Sequence, residues 1–225
     1  MRRLIKLLSS LTDLIYKKKC YICSSKRDNS KLCSKCYDSI DFIGFNPLKI
    51  IDGVKAYSAT VYTKNMQKLI RGIKYHNQYE LAPFQARKMY DYWNNSGNLK
   101  TNYVIVPVPL YKNREKHRKY NQMMLVAEEF SRLTGYPIKK DLIKRIKDTK
   151  PQYKLHLHER EKNLANAFEV DPTKYNGENL LIIDDILTTG STLGEMIRTF
   201  RRENINHLTC FTTSCAESYS TFVQT

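Results

Sequence analysis

Two stretches of the chain carry side chains whose types and spacing can do chemistry. In LLIIDDILTTGSTL (180–193) a run of four large aliphatic residues leads into Asp184 and Asp185, and Thr188, Thr189, Gly190, Ser191 and Thr192 follow at once. A turn of this composition at a helix N-terminus offers free backbone N–H groups and hydroxyl donors to an anion, and glycine permits the close backbone approach that a phosphate needs. The paired carboxylates cannot contact that phosphate favourably. They must face either a cis-diol, such as the 2′- and 3′-hydroxyls of ribose, or a hydrated Mg²⁺. Capping of the next helix by Asp184 or Ser191 would explain one acid or one hydroxyl, not the whole constellation.

The second stretch holds two CxxC pairs, Cys20 and Cys23 in CYIC and Cys33 and Cys36 in CSKC. Two intervening residues let both thiolates of a pair reach one ion from a tight turn, and two such knuckles complete a tetrahedral S4 site. A redox-active pair would occur once, beside a βαβ pattern, and disulfides are disfavoured in a reducing compartment. Four soft ligands leave no open position for a substrate water, so the predicted ion is a structural Zn²⁺. The span from Cys20 to Cys36 has too few large apolar residues to fold unaided, and the metal would supply most of its folding free energy. Cys210 and Cys215 lie in an apolar run and read as small buried hydrophobes.

The elements that must position these groups follow from periodicity. VKAYSATVY (54–62) alternates as a half-buried strand, MQKLIRGIKYH (66–76) and ELAPFQARKMYDYW (80–93) read as helices, and YVIVPVP (103–109) as a buried strand closed by prolines. From Lys119 to Leu133 apolar residues recur at helical spacing, whereas 138–160 reads as an extended, irregular segment with a long loop. NLLIIDD (179–185) has the continuous apolar character of a central parallel strand, STLGEMIRTFRREN (191–204) is a helix and HLTCFTTSC (207–215) a further strand. Strand and helix alternating in this way predict an α/β domain with a parallel sheet and right-handed crossovers, and ligands of such sheets bind beyond the carboxyl ends of the strands. The predicted division is a small unit over 1–48, with an N-terminal helix and the double CxxC, and an α/β domain over 49–225.

Lysine and arginine number 38 against 22 acidic residues, a formal charge of +16. Such an excess favours nucleic acid, phosphorylated ligands or an anionic membrane surface, although abundant Lys, Asn, Ile and Tyr also follow from an AT-rich coding sequence. The first fifteen residues, MRRLIKLLSSLTDLI, are interrupted by Lys6 and Asp13 and read as an amphipathic helix rather than an export signal. No window approaches the roughly eighteen apolar residues of a membrane span, so the expected compartment is the cytoplasm. The absence of GxxxxGK[ST] and GxGxxG argues against a P-loop NTPase and a dinucleotide-binding fold.

The apolar strand, acidic pair and TTGST turn resemble the phosphoribosyl-pyrophosphate (PRPP) loop of type I phosphoribosyltransferases. With the double CxxC, VPVPLYKNREKHRKYNQ (106–122) and KDTKPQYKLHLHEREKNLANAF (147–168), the chain resembles the ComF family, phosphoribosyltransferase-like proteins associated with natural competence. The resemblance implies a type I phosphoribosyltransferase-like sheet flanked by helices and a small N-terminal zinc-binding domain. It implies PRPP or ribose 5-phosphate, with Mg²⁺, at Asp184, Asp185, Thr188, Thr189, Gly190, Ser191 and Thr192, the two acids being the candidate catalytic pair. Arg114, Arg118, Tyr120, Asn121 and Gln122 match an RGFNQ-like turn of the family, and Gln152, Leu155, Arg160 and Asn163 match a later motif. Arg114, Arg118, Tyr120, Asn121, Gln122, Gln152 and Arg160 are thereby candidates for pyrophosphate or nucleic-acid contacts; the bland alternative for the basic residues is a solvated loop. Lys119 departs from the pattern, standing where the family usually carries glycine. Single-stranded DNA is the implied partner, along with other competence proteins, helicase-like ones included, at the inner membrane. The alternative function is a salvage enzyme moving 5-phosphoribose from PRPP to a base or amine, for which the sequence names no catalytic base.

Overall fold

The computed structural model describes residues 17–149 and 163–216, so the N-terminal amphipathic helix and the candidates Gln152, Leu155 and Arg160 lie outside the described residues. Lys49–Ile51 (β1), Val54–Val61 (β2), Val104–Pro107 (β3), Leu180–Leu187 (β6) and Leu208–Cys215 (β7) form a five-stranded sheet in the order β1-β2-β7-β6-β3. Only β1 runs antiparallel to its neighbour; β2, β7, β6 and β3 are parallel, with Ala56 and Ile182 both in register with Cys210. The first four residues of β6 are fully buried, as a strand with neighbours on both sides requires. Two short strands, Ile143–Arg145 (β4) and Phe168–Val170 (β5), pair antiparallel as a separate ribbon.

Among the described residues the helices are Ser34–Asp38 (α1), Lys64–Tyr75 (α2), Ala82–Asn95 (α3), Lys112–Arg118 (α4), Gln122–Thr134 (α5) and Ser191–Arg202 (α6). Helix α3 brings Tyr92 and Trp93 onto Phe211 of β7, with ring centroids 5.5 and 4.5 Å apart, and Phe130 of α5 joins them at 6.0 Å. Polar groups link β7 to its neighbours: the Thr60 hydroxyl of β2 donates to the Thr213 carbonyl at 2.9 Å and Gln85 of α3 to the Thr213 hydroxyl at 2.7 Å. These two bonds satisfy buried donors that would otherwise cost stability, while the buried Ser214 hydroxyl of β7 has no partner among the described residues.

The observed elements differ from the sequence reading at four points. The helix expected from Lys119 begins at Gln122, because Lys119 adopts φ 65° and a left-handed residue cannot continue a helix. The basic stretch before it, for which a solvated loop was the bland alternative, is helix α4. The segment expected to be irregular contains β4, whose three residues are too few to show a period and whose partner β5 lies well beyond them in sequence. Strand β6 also runs past the acidic pair to Leu187, since β7 keeps pairing with it as far as Cys215.

Candidate phosphoribosyl site and metal centre

The turn after β6 is held from within and from β1. The Thr189 and Ser191 hydroxyls lie 2.7 Å apart, the Ser191 N–H donates to the Thr189 hydroxyl, and the Lys49 ammonium donates to the Thr189 carbonyl at 2.6 Å. Gly190 has φ 87°, and a Cβ there would stand 2.8 Å from Cδ1 of Ile51, so both conformation and space call for glycine. Gly190 also precedes α6 without a capping side chain, and Thr192 in the first turn of that helix lines the cavity beside it.

Beside this turn opens a cavity of about 800 Å³ lined by Thr188, Thr192, Asp184 and Asp185 together with Arg114, Arg118 and Gln122. The same cavity takes Tyr62 from the junction between β2 and α2, Gln67, Arg71, Lys74 and Tyr75 from α2, and Arg145 from β4. Thr189, Gly190 and Ser191 shape the turn rather than the cavity wall. Gln67, Arg71 and Lys74 recur at i, i+4 and i+7, the spacing of one helix face, while Met66, Leu69 and Ile73 face the core. Five cations, Arg71, Lys74, Arg114, Arg118 and Arg145, thus converge on two carboxylates.

The two acids are not equivalent. Lys74 Nζ lies 2.7 Å from Oδ2 of Asp185, both side chains are largely buried, and Gln122 Nε2 donates to the same oxygen at 3.3 Å. Arg118 donates in turn to Oε1 of Gln122 at 2.8 Å, so Arg118, Gln122, Asp185 and Lys74 form one chain of contacts. Burial opposes the Lys74 charge, but the Asp185 carboxylate more than offsets it and holds the lysine pKa above its usual value. Asp184 accepts the Asp185 N–H at 2.8 Å; burial, then the Asp185 charge, raise its pKa to about 7. Arg145 is pulled down to about 10 by burial and by the charge of Arg114, and its buried Nε has no acceptor among the described residues. A carboxylate pair with one member already held by an ammonium fits a divalent ion poorly; the wall of cations fits a phosphate well.

The structure gives the remaining candidates of the 114–122 turn other tasks. Asn121 caps α5, accepting the Met123 N–H at 2.9 Å, and donates to the Val108 carbonyl. Tyr120 is half-buried on the core and its hydroxyl donates to the Ile73 carbonyl at 2.5 Å, tying the turn to α2. The exposed aromatic at the cavity is Tyr75, on whose ring the Arg118 guanidinium lies at 5.1 Å from the centroid.

The cysteines converge as their spacing predicts. Cys20 and Cys23 flank a tight turn, Cys33 is the N-cap of α1 and Cys36 lies within it, and the four Sγ atoms all fall within 4.8 Å of one another. A tetrahedral site with Zn–S bonds of about 2.3 Å needs S···S edges of about 3.8 Å, and Cys23 and Cys33 Sγ stand 3.7 Å apart. Burial resists ionisation of Cys20, yet backbone N–H groups of Cys33, Cys23 and Ile22 aimed at its sulfur bring its pKa to about 6. The four residues therefore fit a structural Zn²⁺. The knuckles pack directly on the main sheet's helices: Tyr37 donates to Asp91 at 2.9 Å, Lys68 to the Ile22 carbonyl at 3.2 Å, and the Tyr21 ring covers Gly72.

No protein-family model matches the chain. Competence protein F of Haemophilus influenzae is 32% identical over 152 residues, 65% of this chain and 66% of that protein. Over that span the chain is similar to the ComF competence proteins. DNA utilization protein YhgH of Salmonella typhimurium is 30% identical over 64% of this chain and 65% of its own length, and Competence protein ComFC of Bacillus subtilis 35% identical over 40% and 35%. The match spans just under two thirds of the length of the first two relatives. A solved adenine phosphoribosyltransferase covers 69% of this chain and 77% of its own at 12% identity, with a TM-score of 0.36. The fold class rests on the sheet itself: mixed α/β, mainly parallel, with the glycine turn and helix at the carboxyl end of β6.

Of the cavity residues, sequence reasoning named the β6 turn and the 114–122 turn and missed Tyr62, Gln67, Arg71, Lys74, Tyr75 and Arg145. The polar spacing of Gln67, Arg71 and Lys74 was a signal for a functional helix face. Arg145 gave none.

Among the described residues no helix is long and apolar enough to cross a membrane.

Proposed function

We propose that this chain binds a phosphoribosyl ligand, PRPP or ribose 5-phosphate, in the β6 cavity and engages single-stranded DNA during uptake in natural competence, working in the cytoplasm. In this reading residues 1–48 form the zinc-stapled unit and 49–225 the ligand-binding one. The observation that carries the ligand half is the convergence of five cations, two threonines and two acids in one cavity at the end of a buried parallel strand. Its volume of about 800 Å³ falls within the usual range of small-molecule sites. Thr188, Thr192 and the N-terminus of α6 take the 5-phosphate; Arg114, Arg118 and Arg145 take further phosphate charge; Asp184 and the unbridged oxygen of Asp185 accept from the ribose diol.

The DNA half rests on the names of the relatives, two competence proteins and a DNA utilization protein. Its physical route is the basic cavity mouth with Tyr75 stacked on Arg118, a surface that serves any base because every base has a π-face. Other competence proteins, helicase-like ones at the inner membrane included, are the proposed partners. A second reading, transfer of 5-phosphoribose from PRPP to a base or amine, is favoured by one observation: Asp184 is held near pH 7, where a carboxylate can serve as a proton acceptor.

The test combines thermal melts of the purified protein with PRPP and ribose 5-phosphate, a single-stranded DNA titration, and an assay of pyrophosphate release with nucleobases. The proposal expects stabilisation by both sugar phosphates and DNA binding that weakens between about 50 and 200 mM salt. Pyrophosphate release without DNA binding at low salt would replace it with the salvage transferase. No shift with either sugar phosphate would remove the ligand half.

A further inference from the structure

The acid pair was expected to work beside Mg²⁺, and the geometry of Lys74 points elsewhere. We infer that the Lys74 ammonium takes the place of a divalent cation in this site, so that the ribose-phosphate ligand binds without metal; this rests on the phosphoribosyl reading proposed above.

Lys74 Nζ already sits 2.7 Å from Oδ2 of Asp185, and Gln122 donates to that oxygen from another side. Mg²⁺ demands a near-octahedral oxygen shell at about 2.1 Å and retains several waters. An ion at that oxygen would have to displace the ammonium or share the carboxylate with it, against the repulsion of a neighbouring positive charge. Lys74 is not placed to yield. Its helix α2 is tied on one side by the Tyr120 hydroxyl on the Ile73 carbonyl and on the other by Lys68 on the Ile22 carbonyl. Tyr21 packs over Gly72 so closely that a Cβ there would lie 2.8 Å from the ring.

The other acid offers little in exchange, since Oδ1 of Asp184 is already engaged by the Asp185 N–H at 2.8 Å and Mg²⁺ needs several open oxygen positions around one centre. The charge that Mg²⁺ would bring to a phosphate is also present in the walls: Arg71, Arg114, Arg118 and Arg145 line the same cavity. Arg145 registers the crowding, its pKa lowered by burial and then by Arg114. Lys74 is thus a specificity-determining residue, giving the site a fixed cation where metal-dependent sites recruit a free one.

The experiment is calorimetric titration of the full chain with ribose 5-phosphate, which unlike PRPP does not itself chelate metal strongly, in excess EDTA and in millimolar Mg²⁺. The expected result is a Kd that agrees within about twofold between the two buffers. Loss of about tenfold or more in EDTA overturns the inference while leaving the phosphoribosyl site standing. Lys74→Met opens Asp185, so its affinity should fall about tenfold in EDTA and recover in part with Mg²⁺, whereas Lys74→Arg should stay metal-indifferent. A Lys74→Met protein that binds like wild type in EDTA also overturns it. Should Lys74→Met fail to fold, the wild-type comparison decides, with Mn²⁺ uptake followed by electron paramagnetic resonance as the second readout: no bound Mn²⁺ with ligand present is expected, and a stoichiometric ion refutes. Absence of binding in either buffer removes the phosphoribosyl reading itself, and this inference with it.

Discussion

Replacing Asp184 by asparagine should stabilise the protein at alkaline pH and remove a pH dependence that wild type carries. The folded-state pKa of Asp184 is about 7 against an ordinary 3.8, raised by burial and by the adjacent Asp185 charge. Between those values the folded protein keeps a proton that the unfolded chain has lost. Stability from this group is therefore greatest below pH 4, falls as pH rises through 7, and is flat beyond. At about 1.4 kcal/mol per pH unit the interval from 3.8 to about 7 sets a ceiling of about 4 kcal/mol. The carboxylate keeps some solvent contact and Lys74 lies near, so about 2 kcal/mol is expected, or roughly 4–8 °C in Tm for a chain of this size. Asparagine retains an oxygen for the Asp185 N–H, which wild type donates at 2.8 Å, so the backbone contact survives. The assay is a pair of thermal melts, wild type and Asp184→Asn, at pH 5 and pH 8. Their difference cancels other titrating groups, and the variant should gain on wild type as pH rises. Parallel pH profiles with equal Tm at pH 8 would show that Asp184 ionises as an ordinary carboxyl, and the account of the acid pair would fall.

Elemental analysis of the purified chain should find about one zinc per molecule; Cys20→Ser should release it and open the 20–36 segment to protease, and metal-free, protease-resistant wild-type protein would remove the structural role. Gly190→Ala places a Cβ 2.8 Å from Ile51 at φ 87°, so a loss of roughly 1–2 kcal/mol is expected, and an unchanged melt would count against the tight turn. In DNA titrations Tyr75→Ala should weaken binding with the salt slope retained, while Arg114→Ala combined with Arg118→Ala should flatten it; the opposite pattern would misassign the stacking and phosphate groups.

The sequence alone determined whatever lies within a few residues of chain. The double CxxC prescribed four converging sulfurs because two-residue spacing fixes the geometry of each knuckle locally, and the structure brings all four Sγ within 4.8 Å of one another. The aliphatic run, the acids and TTGST prescribed a buried strand and a turn into a helix for the same reason. Lys119, marked in sequence by occupying a glycine position, does stand at positive φ, and the lysine bears that conformation at the end of α4. What only the tertiary structure decided is the composition of the cavity. Lys74 meets Asp185 across more than a hundred residues of sequence, and Arg145 arrives on a strand too short to show a period. Tyr120, a candidate for pyrophosphate or nucleic-acid contact in the sequence, is turned inward by a carbonyl of α2, and Tyr75 stands exposed instead. Spacing along the chain encodes helix faces and turn geometry, but which faces meet is set by the order of strands in the sheet. That order places α2 opposite the acids and puts a fixed ammonium on one of them.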